Sequence, residues 1–273
     1  MTLPAPAPVY YSRRVRLYLA DLWSRRDFAW FLAMGNVKAR NASTALGLLW
    51  WVINPLLLGL VYYFVFGILF ESARDISYLL TGMFVFHFTS QAMSGGANSI
   101  LQNSKLLANL KFPRLILPIS NLIEATVGFL ASLVILYAIA IPFSGIFPGP
   151  SIVLLLIALP LQLMFNLGLA AITARMAVPF RDINNLLPYV NRVWLYLSPI
   201  IWPLEFLSRM SPTVQTIAEI NPMFPMIEVY RAALLGYPLD LTHLAWFAFW
   251  AVAVLIVGIA LFVKYEGQIV RYL

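Results

Sequence analysis

The sequence predicts an all-α integral membrane protein with six transmembrane helices, an N-terminal interfacial helix and a re-entrant helical pair between spans five and six. Three observations predict this fold class. Of the 273 residues, 62% are hydrophobic and 11% are charged, whereas a soluble domain is about 25% charged. Several apolar stretches reach the ~20 residues that a helix needs to cross a bilayer. Most basic residues fall in the segments between alternate spans.

Residues 1–45 are predicted to form a cytoplasmic tail and an interfacial helix. Leu19, Leu22 and Trp23 recur at i, i+3 and i+4, with arginines and aspartates around them. Such a helix lies in the membrane plane with its aromatic face in the lipid and its arginines in water. A solvated loop is the alternative. Residues 46–264 form the predicted six-span core, so 1–273 is expected to be a single transmembrane domain.

The spans follow from the apolar stretches. Residues 46–70, 76–97, 119–141 and 152–176 are each long enough to cross, and Glu124 near the start of the third is the main charge within a span. Residues 178–192 are expected to form a polar loop. Residues 193–204 are apolar but short and give the fifth span, and residues 244–263 give the sixth.

The segment 205–236 contains three prolines and five charged residues, and its apolar pieces are too short for a crossing. Irregular backbone at membrane depth survives only where protein or a water-filled cavity satisfies it. We therefore expect a re-entrant pair that dips in and returns to the same side.

Charge supports this topology. Six spans leave every Lys and Arg except Arg74, Arg209 and Arg231 on the side of the termini. The positive-inside rule then places both termini in the cytoplasm of a multi-pass protein of the cytoplasmic membrane. A seventh crossing at 221–236 would export only Lys264 and Arg271, so the rule prefers six spans without proving them.

Motifs for catalysis and for cofactor binding are missing. The chain has no cysteine, no glycine-rich phosphate loop and no zinc-protease motif, and its two histidines, His87 and His243, are isolated. We therefore expect no catalytic residues, no metal ligands and no cofactor on this chain. The net charge of +7 is attributed to cytoplasmic loops, not to nucleic-acid binding. Transport is favoured, with an integral-membrane transferase acting on polyprenyl-linked sugars and a membrane scaffold as alternatives.

Five short motifs, in this order and spacing, resemble one family. They are GLLWWVINPL at 47–56, NLKFPRLILP at 109–118, FRDI at 180–183, LSPIIWP at 197–203 and NPMF at 221–224. With the six-span plan, they resemble the membrane permease subunits of type-2 ABC exporters over nearly the whole chain. The resemblance is strongest to the exporters of O-antigen, teichoic acid or cell-wall galactan. Drug and small-molecule exporters of the same family are a further alternative.

The resemblance implies the permease subunit of an ATP-driven exporter that moves a lipid-linked polysaccharide across the cytoplasmic membrane. It implies a homodimer with two separate ATPase subunits that hold the ATP and Mg²⁺. The implied cargo is a polyprenyl-diphosphate-linked glycan, surrounded by membrane lipid.

The resemblance also implies that residues 100–110 form a coupling helix seated in the ATPase. The residues expected at this contact are Leu101, Lys105, Leu106, Leu107 and Lys111. An apolar helix edge with a cation suits such a socket. Without the resemblance, an ordinary connecting loop explains the segment equally well.

An export path for a hydroxyl-rich polymer must be lined, because burying an unpaired hydroxyl in hydrocarbon is costly. Aromatic faces pack against sugar rings, and polar aromatic tips bind hydroxyls. Tyr62, Phe66 and Phe70 recur at i, i+4 and i+8, which places them on one helix face. The side chains expected to line the path are Tyr62, Tyr63, Phe66, Phe70, Trp194, Tyr196 and Trp202. An ordinary aromatic belt at the membrane interfaces is the alternative.

Basic residues before the first span are candidates for binding the diphosphate of the lipid carrier, because guanidinium and ammonium groups bind phosphate. Lys38 and Arg40 lie closest to the span and form the expected entry site. Simple retention by the positive-inside rule is the alternative.

Overall fold

The computed structural model describes residues 17–18, 20–42, 49–69, 75–200 and 211–272, and over these residues the chain forms helices and no strands. In chain order the helices are α1 (Arg26–Ala42), α2 (Trp50–Leu69), α3 (Ile76–Gln102), α4 (Ser104–Asn109), α5 (Ile116–Ser144), α6 (Leu155–Ala177), α7 (Ile183–Leu197), α8 (Pro212–Ile220), α9 (Met223–Leu235) and α10 (Leu241–Tyr272). A 3₁₀ turn, Pro150–Leu154, precedes α6, and residues 20–24 are helical before α1. The predicted all-α class is confirmed.

Within the part of the chain that the structure describes, three segments are long and apolar enough to cross a membrane: Ile116–Ser144, Pro150–Ala177 and Leu241–Gly267. Less than a third of each is buried inside the protein. Most of this apolar surface therefore faces outward, where only lipid makes it stable. The chain is an integral membrane protein.

Contacts between the helices fix their directions. At one end of the bundle, the Ser144 hydroxyl at the close of α5 bonds to Asp75 and Ser77 at the start of α3. At the other end, the Arg114 backbone N–H before α5 donates to the Glu266 carboxylate near the end of α10, at 2.7 Å. Helices α3, α6 and α10 run one way, while α2, α5 and α7 run the other. We call these ends the Asp75 end and the Lys111 end.

Helix α7 begins earlier than the fifth span that the sequence predicts. The expected polar loop over 178–192 is wrong from Ile183 onwards, where α7 begins. Ile183, Leu187 and Leu195 of this helix are buried, while Arg192 is exposed. A helix that borders a cavity carries polar residues on one face, so a search for apolar stretches cannot find its start. The backbone leaves the helix at Ser198, and residues 201–204 of the predicted span lie outside the described residues.

The predicted single helix over 100–110 is also wrong. Helix α3 continues past residue 97 to Gln102, and α4 is a separate helix of six residues. The break falls at Asn103, where φ is −104° and ψ is 22°. The Asn103 side-chain amide donates to the Ser99 carbonyl at 2.8 Å and so competes with the backbone for the helix hydrogen bonds.

Two short helices, α8 and α9, fill most of the segment predicted to be re-entrant. They have 9 and 13 residues, so at ~1.5 Å per residue neither can cross a core of ~30 Å. Helix α9 is buried along nearly its whole length. Its Tyr230 ring meets Phe129 with centroids 5.7 Å apart, and its Leu234 carbonyl accepts from Tyr137 at 2.9 Å. The count of six spans and the re-entrant course of this pair stay predictions.

The backbones of α6 and α10 touch where the helices cross. A Cβ atom at Gly258 would lie 2.3 Å from the Gly168 carbonyl oxygen, and a Cβ atom at Gly168 would lie 2.4 Å from the Val254 carbonyl oxygen. Small residues allow this approach, which increases the packing contacts that hold helices together in lipid.

Gly258→Ala is expected to lower the melting temperature of the purified protein in detergent, because the new methyl group overlaps backbone that cannot rotate away. Overpacking of this kind costs about 1–3 kcal/mol. Gly267→Ala on the same helix is the matched control, because a Cβ atom there meets nothing within 4 Å. Equal melting temperatures for the two variants would contradict the close crossing.

Candidate functional site

A cavity of about 350 Å³ lies between α2, α3 and α7, and we call it the groove. It is lined by Asn54, Leu58 and Tyr62 of α2, by Met83, Phe86, His87 and Ser90 of α3, and by Pro188, Asn191, Arg192, Leu195 and Tyr196 of α7. Lining positions on α2 recur every four residues, as do three of those on α7. One face of each helix therefore builds one wall.

The groove is polar at a depth where a membrane protein is normally apolar. His87 lies about 16 Å along α3, which is itself about 40 Å long at ~1.5 Å per residue. Asn54, Asn191 and Arg192 line the same cavity. Polar groups at such a depth are stable only against water or protein. The groove therefore needs water or another protein surface, not lipid, on its open side.

Two tyrosines join the walls of the groove. The hydroxyl groups of Tyr62 and Tyr196 are 3.1 Å apart, and their rings meet edge to face with centroids 6.4 Å apart. This contact ties α2 to α7. Both residues belong to the aromatic set expected from the sequence, and the structure brings them together.

The other described members of that set lie elsewhere. Trp194 turns into the bundle, where its ring meets Phe86 at 5.8 Å and its N–H donates to Asn221 at 2.8 Å. Tyr63 is half-buried beside Phe64 and is not among the residues that line the groove. The side chain of Phe66, and the whole of Phe70 and Trp202, lie outside the described residues.

A buried arginine fastens α9 to the turn after α7. Arg231 donates to the Glu228 carboxylate at 2.6 Å and to the Pro199 carbonyl at 2.7 Å. Its guanidinium lies 3.3 Å from the centroid of the Tyr78 ring, and its side chain is fully buried. This charge is therefore neutralised within the protein.

A second, smaller cavity lies between α3 and α5. It has a volume of about 30 Å³, and Glu124, Asn121, His87 and Gln91 are among its lining residues. Gln91 and His87 are hydrogen-bonded at 3.1 Å. Glu124 is only 3% exposed, so the intramembrane carboxylate noted in the sequence is enclosed by protein. Over the residues described here, no three His, Asp or Glu side chains are close enough to hold a metal ion.

The segment at the Lys111 end presents a small mixed surface. Lys105 and Lys111 are exposed. Leu101, Leu106 and Leu107 are partly buried and pack against apolar clusters of this chain itself. Leu110 is the exposed apolar residue there, with 52% of its surface accessible. A partner that docks on this surface would therefore meet Leu110 between two lysines.

The N-terminal helix is clamped to this surface. The Arg25 guanidinium donates to the Lys111 carbonyl at 3.2 Å, and the Phe28 ring meets Phe112 edge to face at 5.3 Å. Trp23 and Phe31 are mostly exposed, as expected of a helix that lies in the membrane plane.

A second set of bonds completes the clamp. Tyr18 accepts from the Leu115 N–H at 3.3 Å and is hydrogen-bonded to the Glu266 carboxylate. Burial and this carboxylate raise the pKa of Tyr18 far above its usual value, so it stays protonated at neutral pH. Arg114 also bonds to the Glu266 carbonyl. We call residues 17–18, 20–28, 110–115 and 262–266 the platform.

The expected entry residues are separate from the groove. Lys38 is exposed on α1 and is not among the residues that line the groove. The Arg40 side chain lies outside the described residues.

Sequence reasoning missed most of the polar lining of the groove. Asn54, His87, Asn191 and Arg192 were not among the expected site residues, although a signal was present. Asn54 and Tyr62 are separated by two helical steps of four residues, and Pro188, Arg192 and Tyr196 have the same spacing. A search for polar residues at the same four-residue spacing from the aromatic residues would have identified both walls of the groove.

The ABC-2 type transporter family model matches residues 29–235 of the chain. The O-antigen export system permease protein RfbA of Myxococcus xanthus is 28% identical over 78% of this chain and 82% of its own length. RfbA of Klebsiella pneumoniae is 25% identical over 87% of this chain and 92% of its own length. The polysialic acid transport protein KpsM of Escherichia coli is 22% identical over 85% of this chain and 90% of its own length.

Tyr18→Phe is expected to loosen the platform, because the Leu115 N–H loses its acceptor. A buried donor left unsatisfied costs about 1–3 kcal/mol. Amide hydrogen exchange over 112–116 should accelerate by roughly 5- to 100-fold. Tyr189→Phe removes the same hydroxyl from an exposed residue of α7 and serves as the control. An unchanged rate of amide hydrogen exchange in Tyr18→Phe would show that the Tyr18 hydroxyl does not stabilise the platform.

Proposed function

Because this chain belongs to the ABC-2 type transporter family, we propose that it works as the permease subunit of an ATP-driven exporter of lipid-linked polysaccharide. Its relatives of known role include permeases for O-antigen export and for polysialic acid transport. The observation that carries the proposal is the polar groove, because a hydroxyl-rich polymer needs such a lining to pass through hydrocarbon.

The groove is half of a channel in this proposal. In a single copy of the chain, the walls of the groove leave Arg192 and Tyr196 exposed at membrane depth, where contact with lipid is unfavourable. A second copy related by a two-fold axis would cover both grooves and enclose one shared path. The homodimer thus accounts for a polar surface that a monomer could not keep in a bilayer. Tyrosine rings and amide groups then face the sugar rings and hydroxyls of the cargo.

The energy is supplied from outside this chain. The sequence has no phosphate-binding loop, so ATP and Mg²⁺ are assigned to two copies of a separate ATPase subunit. The ATPase would dock at the Lys111 end, on Lys105, Leu110 and Lys111. The platform contains Leu110 and Lys111, which Arg25 and Phe28 hold in place through Lys111 and Phe112, and it would receive the force of ATP-driven closure.

This docking sets the topology. The Lys111 end faces the cytoplasm, both termini lie there, and six spans cross the cytoplasmic membrane. Helices α8 and α9 then form a re-entrant pair entered from the Asp75 end, opposite the ATPase. The α1 segment that contains Lys38 and Arg40 would lie at the cytoplasmic leaflet, where the diphosphate of a polyprenyl-linked glycan would first arrive.

Co-purification and depletion test this function together. The expected result is a complex of two permease and two ATPase subunits, and depletion of the permease should trap lipid-linked glycan on the cytoplasmic side. A dimer that never carries an ATPase, in cells whose glycan export is unaffected by depletion, would overturn the proposal. Transfer of sugars by the purified chain alone would favour the transferase instead.

Leu110→Asp is expected to weaken docking of the ATPase, because a charge replaces the exposed apolar residue between two lysines. Central interface residues typically contribute 1–2 kcal/mol or more, so affinity should fall about 10-fold. Binding of the purified ATPase to the permease in nanodiscs measures this. Leu241→Asp, at an exposed leucine of the Asp75 end, is the control. Equal affinity in both variants would remove the docking surface.

Tyr62→Ala is expected to slow export at equal membrane abundance, because the sugar loses an aromatic contact and the walls of the groove lose their link. Such contacts are worth about 0.5–1.5 kcal/mol, or roughly 2- to 10-fold in rate. Phe249→Ala is the control, because this exposed aromatic lies on α10, away from the groove. An export rate equal to that of the control would contradict this role and indicate that Tyr62 belongs to an ordinary aromatic belt at the membrane interface.

A further inference from the structure

In the proposed six-span topology, Arg192 lies near the middle of the membrane, on α7. It is about 13 Å from the start of the helix at Ile183 and about 8 Å from its end at Leu197, at ~1.5 Å per residue. It is exposed and lines the groove. A cationic side chain at this depth is rare and marks the path of a substrate or an ion.

The charge of Arg192 is not neutralised by the described part of the chain. Among the described residues, no carboxylate forms an ion pair with its guanidinium within 4 Å, and the described lining of the groove contains no acidic residue. Arg231, the other arginine at membrane depth, pairs with Glu228 at 2.6 Å. A charged group in low dielectric is costly without a counter-ion or water. Arg192 is thus built to receive a charge that arrives from outside.

The neighbours of Arg192 suit an oxyanion. A guanidinium offers five N–H donors in a planar fork, and the amides of Asn54 and Asn191, with the Ser90 hydroxyl, add neutral donors along the same cavity. The Asn191 amide donates weakly to Ser94 at 3.3 Å and has a second N–H to offer. Such donors match phosphate or carboxylate oxygens.

Two-fold symmetry strengthens the case. In the proposed homodimer, both copies of Arg192 face one enclosed path, where two like charges repel more strongly than in water. An anion between or beside them relieves the repulsion. Without cargo, only water would solvate the two guanidinium groups.

We propose that Arg192 is an anion-binding residue midway along the path, which takes the oxyanions of the cargo as they cross. The source is the diphosphate that joins glycan to lipid, or the carboxylates of acidic sugars. This inference rests on the proposed export function and adds a charge-recognition step inside the membrane, beyond the surface entry at Lys38 and Arg40.

Binding to the permease–ATPase complex in zwitterionic nanodiscs tests the first source. The probe is a radiolabelled polyprenyl diphosphate without sugar, and the matching polyprenol without phosphate reports lipid binding alone. Arg192→Gln is expected to weaken diphosphate binding about 10-fold or more, since hydrogen bonds to charged groups are the strong ones. Arg192→Lys should recover part of the affinity, and polyprenol binding should not change. Lys264→Gln, the same charge loss outside the groove, is the control.

Export by the same complexes, reconstituted into sealed proteoliposomes, tests the second source. If diphosphate affinity is unchanged but Arg192→Gln slows export of a uronic-acid-containing glycan more than that of a neutral one, the anion is the sugar carboxylate. Wild-type affinity for diphosphate together with wild-type export of both glycans by Arg192→Gln would overturn the inference. A wild-type complex that exports neither glycan would instead overturn the proposed function. The melting temperature of each variant confirms that it is folded.

Discussion

One constraint governs this molecule: in hydrocarbon, each polar group must find its partner within the protein. Several polar side chains inside the bundle make such bonds. Gln162 of α6 donates to Thr89 of α3 at 3.2 Å, and Arg231 of α9 is satisfied by Glu228 and the Pro199 carbonyl. These bonds also join the helices to one another, so the groups that meet the constraint hold the bundle together. The groove does not meet it internally, because it leaves Arg192 exposed among its lining residues. For that reason it is the place where water, cargo or a second copy belongs.

Packing connects this groove to the Lys111 end. Helix α3 lines the groove at His87 and then runs on to the turn that begins α4. Leu101, in the last turn of α3, packs against an apolar cluster that includes Ile183 and Leu187 in the first turns of α7, which forms the opposite wall. Because protein interiors are close-packed, a displacement of α4 by the proposed ATPase would be transmitted to both walls. The bonds between Arg114 and the end of α10 hold the platform in place, so displacement is passed along α3 and α7.

Sequence patterns locate the helices that face lipid and miss those that face a cavity. The predicted spans 119–141, 152–176 and 244–263 lie within α5, the 3₁₀ turn with α6, and α10, because a helix in lipid must be apolar on nearly all sides. Helix α7 escapes that test, since its groove face carries Arg192. The link between Tyr62 and Tyr196 joins residues 134 positions apart, which no local periodicity encodes. Trp194 points into the bundle because residues i and i+2 lie on different helix faces.

Arg231 and Arg192 have different roles: the first stabilises the fold, and the second is proposed to bind the cargo. Arg231 is enclosed by an aromatic ring, a carboxylate and a carbonyl, so its charge is already balanced and its position is fixed. Arg192 has amides, hydroxyls and a histidine along its cavity. A path must hold its cargo firmly enough to admit it and weakly enough to release it. A guanidinium already paired with a carboxylate would reject an anion, and a cluster of cations would retain it. One guanidinium per copy among neutral donors lies between these extremes, and this intermediate strength is what movement through a membrane requires.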